Sequence, residues 1–356
     1  MLAQPCTHSI FESGTLPRRL LERFTVVSSD SGSHTLADLG ESGLVSAILA
    51  QISDAKGAVA GVEVGAGDDA AVINTSGSSI VVSVDMYAEG KHFRTDWSTG
   101  IEIGRRCAAA SLADVCAMGA TPVGVLLAIG MPATTTSQWA GDFVAGFIQE
   151  ANNAGATVLG GDVSDCASIV ISVTAFGTVA SGTAVTRSGA RAGDSVGICG
   201  RSGMAAAGLR VLQRGLRSPR ALVDAFRVPE LDYSAGSRAA KSGATSMIDI
   251  SDGLVADLEH ICHDSGVGIE INSKKFELPP ELVSTAAAFG VDPMAWILAG
   301  GDDHAIVATF PPKKRLPAGF TPIGSVVDTP VGEVLIDGVS YRDAYKVLPG
   351  FRHFSS

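Results

Sequence analysis

Apolar positions along this chain recur with two periods. Leu44, Val45, Ile48, Leu49 and Ile52 stand at helical spacing, which predicts a helix from about Leu39. Ile101–Met118 reads as an apolar, Ala-rich helix of small residues, with Gly119 as its expected C-cap. Thr136–Ala154, Met204–Arg214, Leu254–Ser265 and a segment near Pro280–Phe289 also read as helices, and a polar helical stretch runs to about Gly243. Apolar and β-branched runs predict strands at Ala71–Ile73, Ser79–Asp85, Val123–Met131, Thr157–Leu159 and Ile169–Val179. Further strands are expected at Asp194–Cys199, Ser246–Ile250 and Gly268–Ile271, and the tail alternates short strands with turns. Turns are expected at Gly61–Ala70, Gly160–Gly161–Asp162 and Gly300–Asp303, while Ser251–Asp252–Gly253 is expected to cap the helix that follows it.

The pattern is α/β with mixed sheets, in two halves, and it contains no short-period repeat. A length of 356 residues suits two domains. Ala180–Gly193, with its glycines, serines and two arginines, is the expected boundary. The chain then divides into a flexible extension at 1–37, an N-terminal domain at 38–185 and a C-terminal domain at 186–356.

Composition narrows the function classes. Hydrophobic residues at 46% against 18% charged support a substantial core and argue against disorder. The 42 glycines follow no triplet period, which excludes collagen. With 37 acidic against 26 basic residues the net charge is −11, and the basic footprint of a nucleic-acid binder is missing. The six cysteines are scattered without a CxxC, as in reduced cytosolic proteins. Residues 1–37 carry no apolar signal-peptide core. The longest apolar stretches, Val123–Ala133 and Ile169–Ala180, are interrupted and fall short of the ~18–20 residues that span a bilayer. A cytoplasmic protein with neither membrane nor nucleic-acid partners is expected.

Common phosphate motifs are absent or weak. No G-x-x-x-x-G-K-[ST] is present. Gly65-Ala-Gly67-Asp-Asp-Ala70 loosely matches a dinucleotide fingerprint, but its two carboxylates would face and repel a pyrophosphate. His260 and His263 flank Cys262 on one helical turn, which offers too few ligands for zinc and reads better as solvated helix histidines. What does recur is aspartate at the end of a strand beside Gly or Ser: Asp68–Asp69, Asp85, Asp162, Asp249, Asp252 and Asp302–Asp303. A single such aspartate is ordinarily a turn former or cap. That reading weakens where acids end the apolar runs Val81–Asp85 and Met247–Asp252, at the rim of a sheet where ligands bind. Asp114, inside an apolar helix, is costly to bury without a cation. Converging hard oxygen ligands suit Mg²⁺ bound together with substrate phosphates. The residues alone therefore point to a multi-metal phosphate site without a Walker lysine.

Eight blocks in order carry a resemblance. They are Leu39-Gly-Glu-Ser-Gly-Leu44, Gly67-Asp-Asp-Ala-Ala71, Ser83-Val-Asp-Met86 with Glu89-Gly-Lys-His-Phe93, and Ser111-Leu-Ala-Asp-Val-Cys-Ala-Met-Gly-Ala120. Gly160-Gly-Asp162, Thr186-Arg-Ser-Gly-Ala190, Ile248-Asp-Ile-Ser-Asp-Gly-Leu254 and Gly300-Gly-Asp-Asp303 complete them. In these blocks, from about Leu39 to Phe354, the chain resembles the thiamine-monophosphate kinases, of the superfamily of aminoimidazole-ribonucleotide synthetase and selenophosphate synthetase. The resemblance implies ATP-dependent phosphorylation of thiamine monophosphate to thiamine diphosphate. It also implies several Mg²⁺ ions, direct in-line transfer without a covalent nucleophile, and a two-domain fold whose N-terminal domain pairs in a homodimer. It assigns Asp69, Ser83, Val84 through its carbonyl, Asp85, Asp114, Asp162, Asp249 and Asp252 to metal. Gly161, Asp162, Arg187 and Ser251 fall to ATP, and His92, Asp302 and Phe351 to the thiamine phosphate.

Two departures stand out. The family commonly has Gly-Gly-Glu-Asp where this chain has Gly300-Gly-Asp302-Asp303, and often a tyrosine where it has His304. Selenophosphate synthetase is disfavoured, since no Cys nucleophile stands in a Gly-rich N-terminal loop. Aminoimidazole-ribonucleotide synthetase is disfavoured by the Asp162 and Asp249–Asp252 blocks. A non-catalytic nucleotide- or metal-binding protein on the same scaffold is the reading from another class.

Overall fold

The structure, a computed structural model, describes residues 62–345. The helix expected from Leu39, the extension at 1–37 and Phe351 lie outside the described residues.

Val62–Val64 (β1), Ala71–Asn74 (β2), Ser78–Ala88 (β3), Thr121–Met131 (β4), Thr157–Asp165 (β5) and Val170–Ala180 (β6) form one mixed sheet in the order β1-β2-β3-β6-β4-β5. Within it β4 and β5 run parallel, and the other pairs are antiparallel. Gly100–Ala117 (α1) and Ser137–Asn153 (α2) cover one face. Thr99 and Glu102 close a capping box at the start of α1: Thr99 Oγ1 accepts from the Glu102 N–H, and Glu102 Oε2 accepts from the Thr99 N–H at 2.7 Å.

Ser195–Cys199 (β7), Ser246–Asp249 (β8), Gly268–Ile271 (β9), Ile306–Phe310 (β10), Thr321–Val327 (β11), Val334–Ile336 (β12) and Val339–Ser340 (β13) form the second sheet, ordered β13-β12-β9-β11-β7-β10-β8. Its helices are Met204–Gln213 (α3), Arg220–Arg227 (α4), Ala235–Lys241 (α5), Leu254–Ser265 (α6), Pro280–Phe289 (α7), Pro293–Ala299 (α8) and Tyr341–Tyr345 (α9). Leu254, Val255, Leu258 and Ile261 of α6 pack with Val196, Ile198, Ile269 and Val307 of the sheet. A separate apolar cluster joins α3, α4, α7 and α8 through Val211, Leu222, Phe226, Leu282 and Ile297. No single helix among the described residues is long and apolar enough to cross a membrane.

The small residues of α1 have a further consequence. Its opposite side meets the second half, where Cys116 and Ala117 join Ala235, Ala239 and Met247 in one cluster. One helix thus carries side chains toward both halves.

Several expectations need correcting. Gly160–Asp162 is not a turn but the middle of β5, because an edge strand can tolerate glycine where β4 supplies the ladder. The region read as a turn from Gly61 contains β1. The polar stretch before Gly243 divides into α4 and α5, and α8 was not foreseen. Asp252 does not cap α6. The Asp257 carboxylate, one turn inside the helix, accepts the N–H groups of Asp252 and Gly253 at 3.2 and 3.0 Å.

Candidate active site

The two faces of β3 differ sharply. Its odd-numbered residues turn toward α1: Val81 and Tyr87 are buried, and Ser83 Oγ donates to Asp114 Oδ2 at 2.5 Å. Asp85 lies between them and is held by the Tyr87 hydroxyl, which donates to its Oδ2 at 3.1 Å. That hydroxyl also stands 2.9 Å from Ser111 Oγ on α1. Burial, reinforced by the Asp85 charge, raises the Tyr87 hydroxyl well above its ordinary pKa, so it remains a donor. Strand β2 pairs with β3 only as far as Val82, so Ser83–Ala88 has a strand neighbour, β6, on one side alone among the described residues.

Three further segments converge on this edge: the turn before β2, the segment carrying Arg187 and the end of β8. The turn before β2 brings Asp69, whose side chain is only 2% exposed. Its Oδ1 accepts from Arg187, including Nε at 3.0 Å, while its Oδ2 is buried with no hydrogen-bond partner. Asp68 accepts the Arg187 backbone N–H at 3.1 Å. The end of β8 brings Asp249, buried, whose Oδ2 lies 2.9 Å from His304 Nδ1. Just beyond it, Ser251 is exposed and Asp252 half-buried.

Electrostatics shows that these carboxylates share one space. Burial raises Asp114 well above the usual carboxylate range, and the charges of Asp85, Asp249 and Asp69 add to the rise. Asp69 is raised by burial, which outweighs the Arg187 guanidinium, and further by Asp249 and Asp68. Asp257 is raised by burial and then by Asp249 and Asp252. His304 is raised despite its burial, because Asp249 accepts its hydrogen bond.

The loop Gly300–His304 is welded to the end of β8. Asp302 donates its N–H to the Ser251 carbonyl and His304 to that of Ile250, both at 2.8 Å. A Cβ on Gly301 would stand 2.3 Å from the Ser251 carbonyl oxygen, so only glycine permits this approach. Asp302, with φ of +68°, reaches back to the first half, where its Oδ2 meets Arg106 on α1 at 2.7 Å. Asp303 turns the other way and caps α3, accepting the N–H groups of Gly203 and Ala205 at 2.6 and 2.9 Å.

Comparison with known proteins fits this arrangement. Residues 67–179 match the AIR synthase related protein N-terminal domain, and residues 191–334 the corresponding C-terminal domain. The thiamine-monophosphate kinase of Mycobacterium tuberculosis strain H37Rv is 40% identical over 307 residues, 86% of this chain and 90% of that protein. The Corynebacterium glutamicum thiamine-monophosphate kinase is 38% identical over 304 residues, 83% and 88% of the two chains. Among solved structures, AaThiL complexed with AMPPCP and TMP superposes with a TM-score of 0.80 at 29% identity, covering 91% of this chain and all of that one. The chain belongs to the thiamine-monophosphate kinase family.

The residues that the family's motifs single out are not all together. Asp69, Ser83, Asp85, Asp114, Asp249 and Asp252 surround the open edge of β3, with Val84 in the strand and Ser251 at the rim. Arg187 is already engaged by Asp69 rather than standing free for a nucleotide. His92 follows β3, its Nδ1 accepting the Ala88 N–H at 3.0 Å. Gly161 and Asp162 stand apart on β5, beyond β6 and β4, about 14 Å from β3 at normal strand spacing. Asp162 shares a cross-strand row, and hence a face, with Met86, Ser172 and Ala128, the face opposite Asp85. Gly161 lies close against β4, where a Cβ would stand 1.8 Å from the Leu127 carbonyl oxygen.

As placed, no three His, Cys, Asp or Glu side chains among the described residues can hold one metal ion, since Asp69 faces Arg187 and Asp114 faces Ser83. The donor set nevertheless fits a hard cation, because Asp69 Oδ2 is buried without a partner and Asp114, raised by burial, faces the charges of Asp85, Asp249 and Asp69. His260 and His263 are both exposed on α6. Reading the sequence for ligands missed the residues that hold them: Tyr87, Ser111, Arg106, Asp257 and the role of His304. The buried Tyr87, two residues beyond Asp85 on the same strand face, was the one visible signal.

Proposed function

We propose that this chain transfers the γ-phosphoryl group of ATP to thiamine monophosphate, yielding thiamine diphosphate and ADP, with Mg²⁺ held by the carboxylates around β3. The observation that carries this is Asp69 with its buried, unpartnered Oδ2 amid Asp85, Asp114 and Asp249. Such a cluster has no use for a polyanionic substrate until cations stand between them. Asp69, Asp85, Asp114, Asp249 and Asp252, with Ser83 and the Val84 carbonyl, would hold the ions. Mg²⁺ held there would supply charge neutralisation for the phosphates and for the charge that develops during transfer. An oxygen of the thiamine monophosphate attacks the γ-phosphorus directly while its bond to the bridging oxygen of ADP breaks. No side chain becomes phosphorylated.

The chain's own residues supply position. Tyr87 and Ser111 orient Asp85, and His304 orients Asp249. Arg187 pairs with Asp69, and its planar fork is suited to exchange that carboxylate for phosphate oxygens. Ser251 completes the nucleotide contacts beside β3, Gly161 goes with Asp162 on β5 toward the nucleotide of a second copy, and His92, Asp302 and Phe351 hold the thiamine phosphate.

The reading includes a cytoplasmic homodimer and a domain division at residues 185/186. The sheet face away from α1 supports pairing, since Val84 and Met86 are each 65% exposed and Ile73 and Leu126 are exposed beside them. A second copy on this face also explains Asp162, which lies on it and so would reach the partner's nucleotide.

The test supplies the protein with ATP, Mg²⁺ and either thiamine or thiamine monophosphate, and resolves the products chromatographically. Thiamine diphosphate is expected from the monophosphate alone. ATP binding without that product, or phosphorylation of free thiamine instead, defeats the reading.

A further inference from the structure

Arg106 is a buried cation that the phosphate chemistry does not use. It stands on α1 with its side chain 5% exposed, and its guanidinium lies 4.7 Å from the centre of the Phe226 ring. One terminal nitrogen donates to the Phe226 carbonyl, and the other meets Asp302 Oδ2 at 2.7 Å. Burying a guanidinium demands a partner, and Asp302 is its carboxylate among the described residues.

The geometry makes this more than charge balance. The Phe226 carbonyl takes one terminal nitrogen and the Phe226 ring lies against the guanidinium, which leaves the other terminal nitrogen to Asp302. Asp302 belongs to the other half of the molecule, and its backbone is already tied to Ser251. The arginine therefore determines where the carboxylate sits: Oδ2 is held, while the side chain stays 46% exposed. Asp302 carries its carboxylate on a single methylene, so the group has little freedom of its own to find a substrate.

We propose that Arg106 is a positioning residue for thiamine monophosphate, acting across the two halves by presenting Asp302 to that substrate and leaving ATP unaffected. The inference rests on the reading of Asp302 as a substrate contact. A lysine keeps the charge but cannot serve the Phe226 carbonyl and Asp302 together in one plane.

Steady-state kinetics of Arg106→Lys, with each substrate varied in turn, tests this. The KM for thiamine monophosphate should rise by about tenfold or more, while kcat and the KM for ATP stay within about twofold. In an Asp302→Asn background the same substitution should add nothing, because its effect passes through that carboxylate. A merely structural arginine would disturb both substrates or neither. If Arg106→Lys does not fold, Arg106→Gln is put to the same comparison; if Asp302→Asn does not fold, the split between the two KM values decides alone. An unchanged KM for thiamine monophosphate in a folded, active variant overturns the role of Arg106, as does an equal rise in the Asp302→Asn background. A wild-type protein that forms no thiamine diphosphate would instead overturn the reading of the whole site.

Discussion

Asp85 shows how little of a catalytic residue's setting lies in its own neighbourhood of the sequence. It ends a β-branched run, and that is enough to mark it as a rim carboxylate. Its orientation comes from the Tyr87 hydroxyl, itself placed by Ser111 on α1. Asp85→Asn keeps the shape of the side chain and loses the charge. Turnover should therefore fall by about a hundredfold or more, while the thermal midpoint stays within about 2 °C of the wild type. A variant with normal turnover would remove Asp85 from the metal set. The same contrast holds across the site: Asp114 and Asp249 were legible because a carboxylate in an apolar setting is anomalous, whereas Asp69, in a Gly-rich turn, was marked as a ligand only by the resemblance. Their partners Arg187, Ser83 and His304 were not legible as partners, because each arrives from a distant segment.

Among the elements, α3 gives a direct test of how the second half is held together. It begins at Gly203 without a side-chain cap of its own, and Asp303, about a hundred residues away, accepts two of its N–H groups. Asp303→Ala should destabilise the protein by ~1–3 kcal/mol, read as a lower thermal midpoint, with the Gly300–Asp303 loop losing its anchor. No change in the midpoint would mean that water replaces the carboxylate at no cost. Elements with their own periodicity were legible: α1, α2, α6, α7 and the long strands β3, β4 and β6 lie close to where the pattern put them. The misses share a cause. Strand β5 is held by its ladder with β4 despite two glycines, and the start of α6 is satisfied by Asp257 from inside the helix. Tertiary hydrogen bonds outvoted local turn signals at both places.

For the whole molecule, the acidic character seen in the composition becomes a statement about stability. Asp303 is pushed up to about 7 by burial, and Asp69, Asp114 and Asp257 are raised as well. An acid raised in the folded state binds protons there that the unfolded chain has released, so stability falls as pH rises. Between about pH 4, the ordinary carboxylate range, and about pH 7, the metal-free protein should lose thermal midpoint by about 4 °C or more. Mg²⁺ with ATP should flatten that slope by accepting the ionised carboxylates. A midpoint that rises over this window would show that the acids are ionised and well paired. Assembly has its own test. Asp85 and Asp162 lie on opposite faces of one sheet, so Asp85→Asn and Asp162→Asn, each strongly impaired alone, should regain activity when refolded together as mixed dimers. Activity no greater than the sum of the two separate variants would place both residues in one copy's site. The most direct measurement of the central claim follows the γ-phosphoryl group of labelled ATP into thiamine monophosphate, with and without a chelator. The account predicts one label in the terminal phosphate of thiamine diphosphate for each ADP formed, lost on chelation and restored by Mg²⁺. Label retained on the protein, or transfer undiminished without a divalent cation, would contradict it.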